Sequence, residues 1–203
     1  MANLLVGIPY LRVWEGKHSK AKTDSAHKNP SPYVKDGVKG WHTNKGVTWV
    51  AFQQAAQKFG FAVNEYNFMV MPDAIWLPIF TDMYAKPMQA DKCVSDAVAL
   101  VLADWAWASG VFGAGAGLAK RMKAKHNIVI RTGKTIDMKK AVDFYNKMDE
   151  KTAFLELMDF RRDFFRSLND PDNIKGWLNR MDGLQTLGLE LIAKKKAQPQ
   201  ITA

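Results

Sequence analysis

A single glutamate stands where an acid catalyst would be useful, at the end of the first apolar segment. Glu15 directly follows Trp14, and a glycine then precedes a long basic stretch. Burial beside an indole ring disfavours the charged form of a carboxyl group, so we expect the pKa of Glu15 to be raised. A carboxyl group that keeps its proton near neutral pH can act as a general acid. The competing interpretation is a helix-terminal glutamate in a salt bridge with Arg12 or Lys45.

Hydrophobic periodicity predicts a mainly all-α protein with one long irregular segment near the N-terminus. The predicted helices cover residues 2–15, 48–60, 72–83, 91–109, 118–126, 138–148, 151–168 and 170–192. Residues 17–46 lack a sustained period, and we expect a loop there with a short β-hairpin around residues 33–41. Such a long loop is uncommon unless it builds a functional site.

The charge balance favours a polyanionic partner. The 203 residues include 29 Lys and Arg against 20 Asp and Glu, which gives a net charge of +9. A nucleic acid, an anionic membrane face and a bacterial wall would each be attracted to such a protein. The basic residues are dispersed and no recognition helix stands out, so we do not expect a nucleic-acid-binding protein.

Several other classes of site and protein are disfavoured. Cys93 is the only cysteine, which excludes an internal disulfide and indicates a structural thiol. The histidines show no ligand spacing, so we expect no metal and no cofactor. The longest apolar stretch, residues 97–108, is interrupted by Asp104, and we expect no stable membrane insertion. The N-terminus lacks the basic residues of a signal peptide, which predicts synthesis in the cytoplasm without one.

Several segments, taken in order, carry a family resemblance. They are Trp14-Glu15-Gly16, then Thr43-Asn44-Lys45-Gly46-Val47-Thr48, the helix from Asp104 to Gly110, the helix with Arg161, Arg162, Phe164 and Phe165, and Lys175-Gly176-Trp177-Leu178-Asn179-Arg180. Their order and spacing resemble the N-acetylmuramidases of glycoside hydrolase family 108 from phages and bacteria, some of which were first labelled secretion activators. The resemblance implies a lysozyme-like helical fold with a long N-terminal active-site loop or small β-hairpin.

The chain departs from this family pattern in three places. Lys17 replaces a glycine of the opening motif, and the loop that follows is longer than usual. The segment Gly133-Lys134-Thr135-Ile136-Asp137 keeps little of the Asp-Gly-x-x-Gly turn found in the peptidoglycan-binding part of many members. These departures bear more on wall binding by the C-terminal half than on catalysis.

The resemblance implies an endo-acting peptidoglycan hydrolase that cleaves the β-1,4 bond between N-acetylmuramic acid and N-acetylglucosamine. Glu15 stands at the position of the family's catalytic glutamate and would be the general acid. Asp24 is the favoured second carboxylate, because its spacing from Glu15 is similar to that in phage-type lysozymes and it matches an aspartate of the family's loop. Asp36 is its rival, and either residue could instead only shape a turn.

The remaining candidates surround the loop and the central helix. Thr48 is the third catalytic candidate, because its hydroxyl could hold the attacking water as in similar phage lysozymes, although it is also a natural N-cap. The candidate substrate-binding residues are Thr43, Asn44, Lys45, Trp41, Trp49 and Trp105. Sugars stack their apolar faces on indole rings, and core packing is the alternative for each tryptophan. Tyr84 and Trp107 belong to the same group of candidates.

We expect three regions: a lysozyme-like catalytic domain over residues 1–110, a helical subdomain packed on it over 111–190 that could bind peptidoglycan, and a disordered tail over 191–203.

The expected partner is the glycan strand of the periplasmic cell wall, with a holin as the route of export. The competing hypothesis is a non-catalytic peptidoglycan-binding or secretion-accessory protein with a lysozyme-like body, because Lys17 and the longer loop alter the motif.

Overall fold

A computed structural model describes residues 1–197 of the chain. The protein is 66% helical, with eight α-helices and two small antiparallel sheets in the described part. The chain divides into two compact units, Pro9–Met83, named the N-terminal unit, and Met1–Ile8 with Tyr84–Ala203, named the helical unit. The helical content confirms the prediction of a mainly all-α, lysozyme-like fold.

The N-terminal unit combines short helices with a three-stranded sheet. Its elements are α1 (Ile8–Trp14), β1 (His18–Ser19), β2 (Thr43–Asn44), β3 (Val47–Thr48), α2 (Trp49–Phe59), α3 (Glu65–Met69) and α4 (Asp73–Pro78). The strands pair antiparallel in the order β1-β2-β3. A π-helical turn, Ile79–Ala85, follows α4.

The first predicted helix is divided at a proline. A 3-10 turn over Leu4–Gly7 precedes α1, which begins at Ile8. Pro9 therefore lies in the first turn of α1, where a missing backbone N–H costs nothing because no intrahelical acceptor exists for it. The side chain of Asn3 caps the 3-10 turn by accepting a hydrogen bond from the Leu5 amide at 3.1 Å.

The turn between β2 and β3 continues directly into the cap of α2. Lys45 and Gly46 have φ of 46° and 79°, which is the two-residue turn that joins antiparallel strands tightly. Thr48 Oγ1 then accepts a hydrogen bond from the Ala51 amide at 3.2 Å and caps α2. Gly60 ends the helix in the left-handed conformation, with φ 76°. Both ends of α2 lie where the sequence predicted them.

The hairpin predicted around residues 33–41 is only a tight turn. Lys35 and Val38 form one isolated bridge, and the residues between them, Asp36 and Gly37, have φ of 53° and 73°. The strands of this segment are β1, β2 and β3 instead, because β1 at the start of the loop pairs with β2 at its end. The loop is therefore closed at its base by backbone hydrogen bonds.

The helical unit contains one long helix and three shorter ones. Its elements are α5 (Asp96–His126), β4 (Arg131–Thr132), β5 (Thr135–Ile136), α6 (Met138–Tyr145), α7 (Glu150–Ser167) and α8 (Ile174–Ala197). α5 joins two segments that were predicted as separate helices, and Gly110, with φ 70° and ψ 152°, bends it in the middle. The helix thus crosses residue 110, where the sequence suggested a domain boundary, and that boundary stays a prediction.

α5 is the buried central helix of this unit and packs against α7 and α8. It is the one helix of the described chain that is long and apolar enough to cross a membrane by length and composition. Its most apolar window has a mean hydropathy of 1.5 and is 67% buried. A buried core helix can have the same length and hydropathy, and α5 is mostly buried.

Two glycines allow close packing on α5. A Cβ atom on Gly115 would lie 2.9 Å from Ile136 Cδ1, and one on Gly117 would lie 2.8 Å from Phe164 Cδ2. Larger side chains would separate the β4–β5 hairpin and α7 from α5.

The last helix extends into the predicted tail. Residues 191–197 are helical, whereas the sequence suggested disorder there. Ile192 is buried, and Lys195 Nζ donates a hydrogen bond to the Val94 carbonyl at 3.0 Å, so packing and a polar contact hold this end of α8. The remainder of the predicted tail, residues 198–203, lies outside the described residues.

Three charged residues from distant parts of the sequence meet inside the helical unit. Asp104 of α5 and Arg161 of α7 are fully buried and form an ion pair. Arg180 of α8 donates to the same carboxylate, with Nε 3.2 Å from Oδ1. Burial opposes the charge on Asp104, but the two guanidinium groups outweigh it and hold the pKa of the carboxyl below its ordinary value. We name these residues the buried ion cluster.

Candidate functional site

Glu15 lies at the C-terminal end of α1 and lines a small pocket in the N-terminal unit. Its amide donates a hydrogen bond to the Leu11 carbonyl at 2.9 Å, which continues the helical turn through Glu15. Its side chain is half-buried. The pocket, named the Glu15 pocket, has a volume of about 180 Å³ and is lined by Arg12, Glu15, Gly16, Lys17, Lys45, Asp73 and Trp76.

A second carboxylate enters this pocket from α4. Asp73 forms an ion pair with Arg12, and the hydrogen bond from that guanidinium holds the pKa of the Asp73 carboxyl below its ordinary value. The guanidinium carbon of Arg12 also lies 5.5 Å from the centre of the Trp76 ring. Asp73 is therefore ionised at neutral pH, in the pocket that holds Glu15.

Lys45 is held in the lining of the pocket by hydrogen bonds of both its backbone and its side chain. Its amide donates to the Lys17 carbonyl at 2.8 Å, and its carbonyl accepts from Trp76 Nε1 at 2.9 Å. Its Nζ donates to the Met71 carbonyl at 3.0 Å. The β2–β3 turn is thus tied to the segment that leads into α4, which brings Asp73 to the pocket.

Asn44 acts as a structural residue. Its side chain is buried, and Nδ2 donates to the carbonyls of Phe68 and Met69 at 2.7 and 3.0 Å. His18, its partner across β1 and β2, donates from Nε2 to the same Met69 carbonyl at 2.9 Å. Burial lowers the pKa of His18, and the nearby Lys35 lowers it further. The role in substrate binding predicted for Asn44 does not fit these contacts.

The two threonines of the motif are also occupied by local contacts. Thr48 caps α2, so the structural alternative stated for it accounts for its position. The Thr43 hydroxyl donates to His42 Nδ1 at 2.8 Å, and His42 Nε2 donates in turn to the Ala21 carbonyl at 3.2 Å. Neither threonine lines the Glu15 pocket.

Asp24, favoured from the sequence, and its rival Asp36 lie elsewhere in the loop. Asp24 is exposed, and its Oδ1 accepts a hydrogen bond from the Ala26 amide at 2.9 Å, which caps the 3-10 turn Ser25–Lys28. Asp36 is exposed within its tight turn. Neither lines the Glu15 pocket, whereas Asp73 does. The sequence marked Asp73 only as the start of a helix, and nothing local to it pointed to Glu15.

The tryptophan candidates differ in their environments. Trp41 is half-buried, with Lys20 Nζ 5.3 Å from its ring centre. Trp49 packs in an aromatic cluster, 5.0 Å from Phe68 between ring centres. Trp105 is a correction: it is fully buried in the helical unit and therefore cannot line a cleft as an exposed stacking surface.

The other sequence candidates also pack within the helical unit. Tyr84 and Trp107 lie edge to face with ring centres 4.8 Å apart. Cys93 is buried, which raises the pKa of its thiol to about 12 and agrees with the structural role predicted for it. Within residues 1–197 no group of three or more His, Cys, Asp or Glu side chains could hold a metal ion.

Of the nine site residues predicted from the sequence, Glu15 and Lys45 line the Glu15 pocket. The other lining residues are Arg12, Gly16, Lys17, Asp73 and Trp76. Arg12 and Lys17 flank Glu15 in the sequence, so a search for charges near it could have found them. Asp73 and Trp76 are brought in only by the fold.

Comparison with known proteins gives two findings. The family model described as Glycosyl hydrolase 108 matches residues 8–110, about half of the chain. The solved structure of SagA from Brucella abortus is similar over 93% of this chain and 94% of that chain, with 20% sequence identity and a TM-score of 0.61, which shows a shared fold. No curated protein matches the chain. The span of the family model contains every residue of the Glu15 pocket, and the chain belongs to the glycosyl hydrolase 108 family.

Proposed function

We propose that the protein is an endo-acting N-acetylmuramidase of the periplasmic cell wall, with Glu15 as its general acid. Family membership implies a peptidoglycan hydrolase type of function. The observation that carries the finer proposal is the Glu15 pocket, where a half-buried glutamate and a second carboxylate share one concave site. Glycosidic bond cleavage needs such a pair of carboxyl groups.

In the proposed mechanism Glu15 donates its proton to the glycosidic oxygen as the bond to the anomeric carbon breaks. The sugar then passes through an oxocarbenium-like transition state, and a water completes hydrolysis. This role requires a carboxyl group that is protonated in the free enzyme. A raised pKa of Glu15 would meet that requirement, and it stays a prediction from the sequence.

We assign the second carboxylate to Asp73 in place of Asp24. The second group must be negatively charged, either to remove a proton from the water or to stabilise the positive charge on the sugar ring. The ion pair with Arg12 keeps Asp73 ionised. Asp24 faces solvent and already accepts a backbone hydrogen bond, so its geometry gives it no comparable role.

The basic residues of the pocket suit an anionic wall polymer. Lys17 and Lys45 line it, and Arg12 is already paired with Asp73. Muramic acid and its peptides carry carboxylates, which these cations would attract. Activity should therefore fall as added salt screens the attraction.

The identity of the bond cut is tested with purified peptidoglycan. The digest is reduced with borohydride and its sugar alcohols are identified by mass spectrometry. A muramidase creates new ends that reduce to muramitol, and this is the expected product. New ends that reduce to glucosaminitol would show cleavage of the other glycan bond and would refute the assignment.

The assignment of the second carboxylate is tested with two isosteric variants. Asp73→Asn should reduce the rate of reducing-end release by at least about 100-fold, whereas Asp24→Asn should change it by less than about threefold. Both aspartates are exposed, so neither change should unfold the protein. The reverse ranking of the two rates would restore Asp24 and exclude Asp73.

The competing proposal is a wall-binding protein without activity. Lys17, which replaces a glycine of the family motif, adds a cation to the pocket and gives a physical reason for binding without cleavage. It predicts that the wild-type protein sediments with purified wall while no reducing ends appear. Release of reducing ends by the wild type, with loss in Glu15→Gln, would exclude it.

A further inference from the structure

A second hollow lies entirely within the helical unit. It has a volume of about 660 Å³ and is formed by the second half of α5, the β4–β5 hairpin and the end of α7. We name it the basic groove. None of its lining residues belongs to the Glu15 pocket, so the catalytic proposal gives it no role.

The basic groove combines an apolar floor with a cationic rim. Small and aromatic side chains form the floor, including Ala116 and Phe164. The rim carries Lys120, Lys123 and Arg131, and no acidic residue lines the groove. The two lysines are exposed. The local field therefore favours an anion next to an apolar group.

An exposed aromatic residue extends this surface beyond the groove. Phe112 is 52% exposed and also lines the basic groove. It also lines an adjoining hollow of about 300 Å³, which contributes Lys134 and again no acidic side chain. The guanidinium carbon of Arg131 lies 5.2 Å from the Phe112 ring centre. Apolar and basic groups thus lie next to the same exposed ring.

We propose that the basic groove and Phe112 form a docking surface for an anionic phospholipid membrane. Lipid phosphates would pair with the rim cations, while Phe112 and the apolar floor would contact the glycerol and upper acyl region. Basic residues next to exposed aromatic and aliphatic side chains are the combination that holds proteins at anionic membrane interfaces.

Charge and hydrogen bonding favour a lipid over the other polyanions. Ser167 is the only uncharged side chain of the lining that can form hydrogen bonds, and its hydroxyl already donates to the Phe164 carbonyl at 2.7 Å. A sugar polymer would need several such groups. Single-stranded nucleic acid stacks successive bases on several aromatic side chains, whereas Phe112 is the one exposed aromatic side chain in the lining of the groove.

The test measures sedimentation of the full-length protein with vesicles. Vesicles containing phosphatidylglycerol and phosphatidylcholine are compared with vesicles of phosphatidylcholine alone. Wild type should bind the anionic vesicles at least tenfold more tightly. The double variant Lys120→Gln/Lys123→Gln should lose about 10- to 30-fold of that affinity, since each basic residue adds to it separately. Phe112→Ser should lose several-fold.

Matched controls lie on the same unit outside the groove. Lys151→Gln/Lys175→Gln removes two exposed lysines, and Val94→Ser removes an apolar side chain that is 57% exposed. The control variants should bind the vesicles as wild type does. Equal binding to both vesicle types, or equal losses in groove and control variants, would overturn the proposal.

Two further arms use soluble wall fragments and a single-stranded oligonucleotide. If the groove variants lose binding to either polymer while vesicle binding is unchanged, the groove serves that polymer and the membrane proposal is overturned. Circular dichroism of each variant shows whether it is folded. If the double variant is unfolded, Phe112→Ser against Val94→Ser decides the matter alone.

Discussion

Two groups of carboxylates and arginines in this protein differ in how far water reaches them. In the Glu15 pocket the Arg12–Asp73 pair has half-exposed side chains beside a small open hollow. In the buried ion cluster Asp104 and Arg161 are fully excluded from water. Similar side chains therefore have different roles, because an exposed pair can meet a substrate whereas a sealed pair can only hold helices together.

The energetic consequence follows from desolvation. Breaking a buried ion pair leaves charges that have lost both water and partner, and this costs far more than breaking an exposed pair. Mutations in the cluster should therefore affect stability, and mutations in the pocket should affect activity.

The largest effect on stability should come from Asp104→Asn. It removes the negative charge that Arg161 and Arg180 share, and the free energy of unfolding should fall by about 3–5 kcal/mol. Urea denaturation measures this loss. The control is Asp163→Asn, whose ion pair with Arg121 is partly exposed and should cost less than about 1 kcal/mol. Equal losses in the two variants would contradict the contrast between sealed and open pairs.

Acid should also weaken the helical unit. The pKa of Asp104 is lowered, and so is that of Glu156, where Lys125 and His126 outweigh the effect of burial. A lowered folded-state pKa gives stability that is present above the unfolded-state value, about 4, and is lost as the pH falls through the folded-state value. The free energy of unfolding should therefore decrease below about pH 4.

Glu156→Gln checks this pH dependence. The variant should be less stable than wild type at pH 7, and the difference should shrink as the pH falls below about 4, because wild-type Glu156 then becomes protonated. Urea denaturation at several pH values measures both curves. A difference that is constant from pH 7 to pH 2 would show that the charge of Glu156 does not matter.

A smaller loss of stability is expected where the β2–β3 hairpin continues into α2. Thr48→Ala removes the side-chain cap of α2 and should lower the free energy of unfolding by about 1 kcal/mol. Thr48→Ser keeps the hydroxyl and is the matched control. Suppose that Thr48→Ala stays folded but hydrolyses the wall much more slowly than wild type, while Thr48→Ser keeps the wild-type rate. The hydroxyl would then hold the attacking water, as the family resemblance suggested.

The smallest effect on stability is expected for Arg12→Gln. The Arg12–Asp73 pair is exposed enough that its loss should cost less than about 1 kcal/mol. The pKa of Asp73 should nevertheless rise toward its ordinary value, because the hydrogen bond that lowers it is gone. Carbon NMR of the Asp73 carboxyl group against pH measures this shift. An unchanged pKa would mean that Arg12 does not keep Asp73 ionised.

Features set by neighbouring residues could be read from the sequence. The cap at Thr48 and the left-handed end at Gly60 each depend on a few adjacent residues, and they lie at the two ends of the helix that the sequence predicts over residues 48–60. The same holds for the position of Glu15 at the end of α1.

Features set by long-range contact could not be read in the same way. Asp73 lines one pocket with Glu15 although 58 positions of the chain separate them, whereas Asp24 was favoured for its spacing from Glu15 and its match to an aspartate of the family's loop. The family resemblance identified Asp104, Arg161 and Arg180 as separate landmarks, yet it did not show that they share one buried ion cluster. Which carboxylates meet, and which are sealed, depends on tertiary packing.

The most direct test of the account is the initial rate of reducing-end release from purified peptidoglycan by Glu15→Gln, compared with wild type and Glu65→Gln. Glu65 is an exposed glutamate of the same unit and serves as the control. The rate of Glu15→Gln should fall by about 100- to 10,000-fold while Glu65→Gln keeps the wild-type rate. A folded Glu15→Gln protein that releases reducing ends at the wild-type rate would contradict the account.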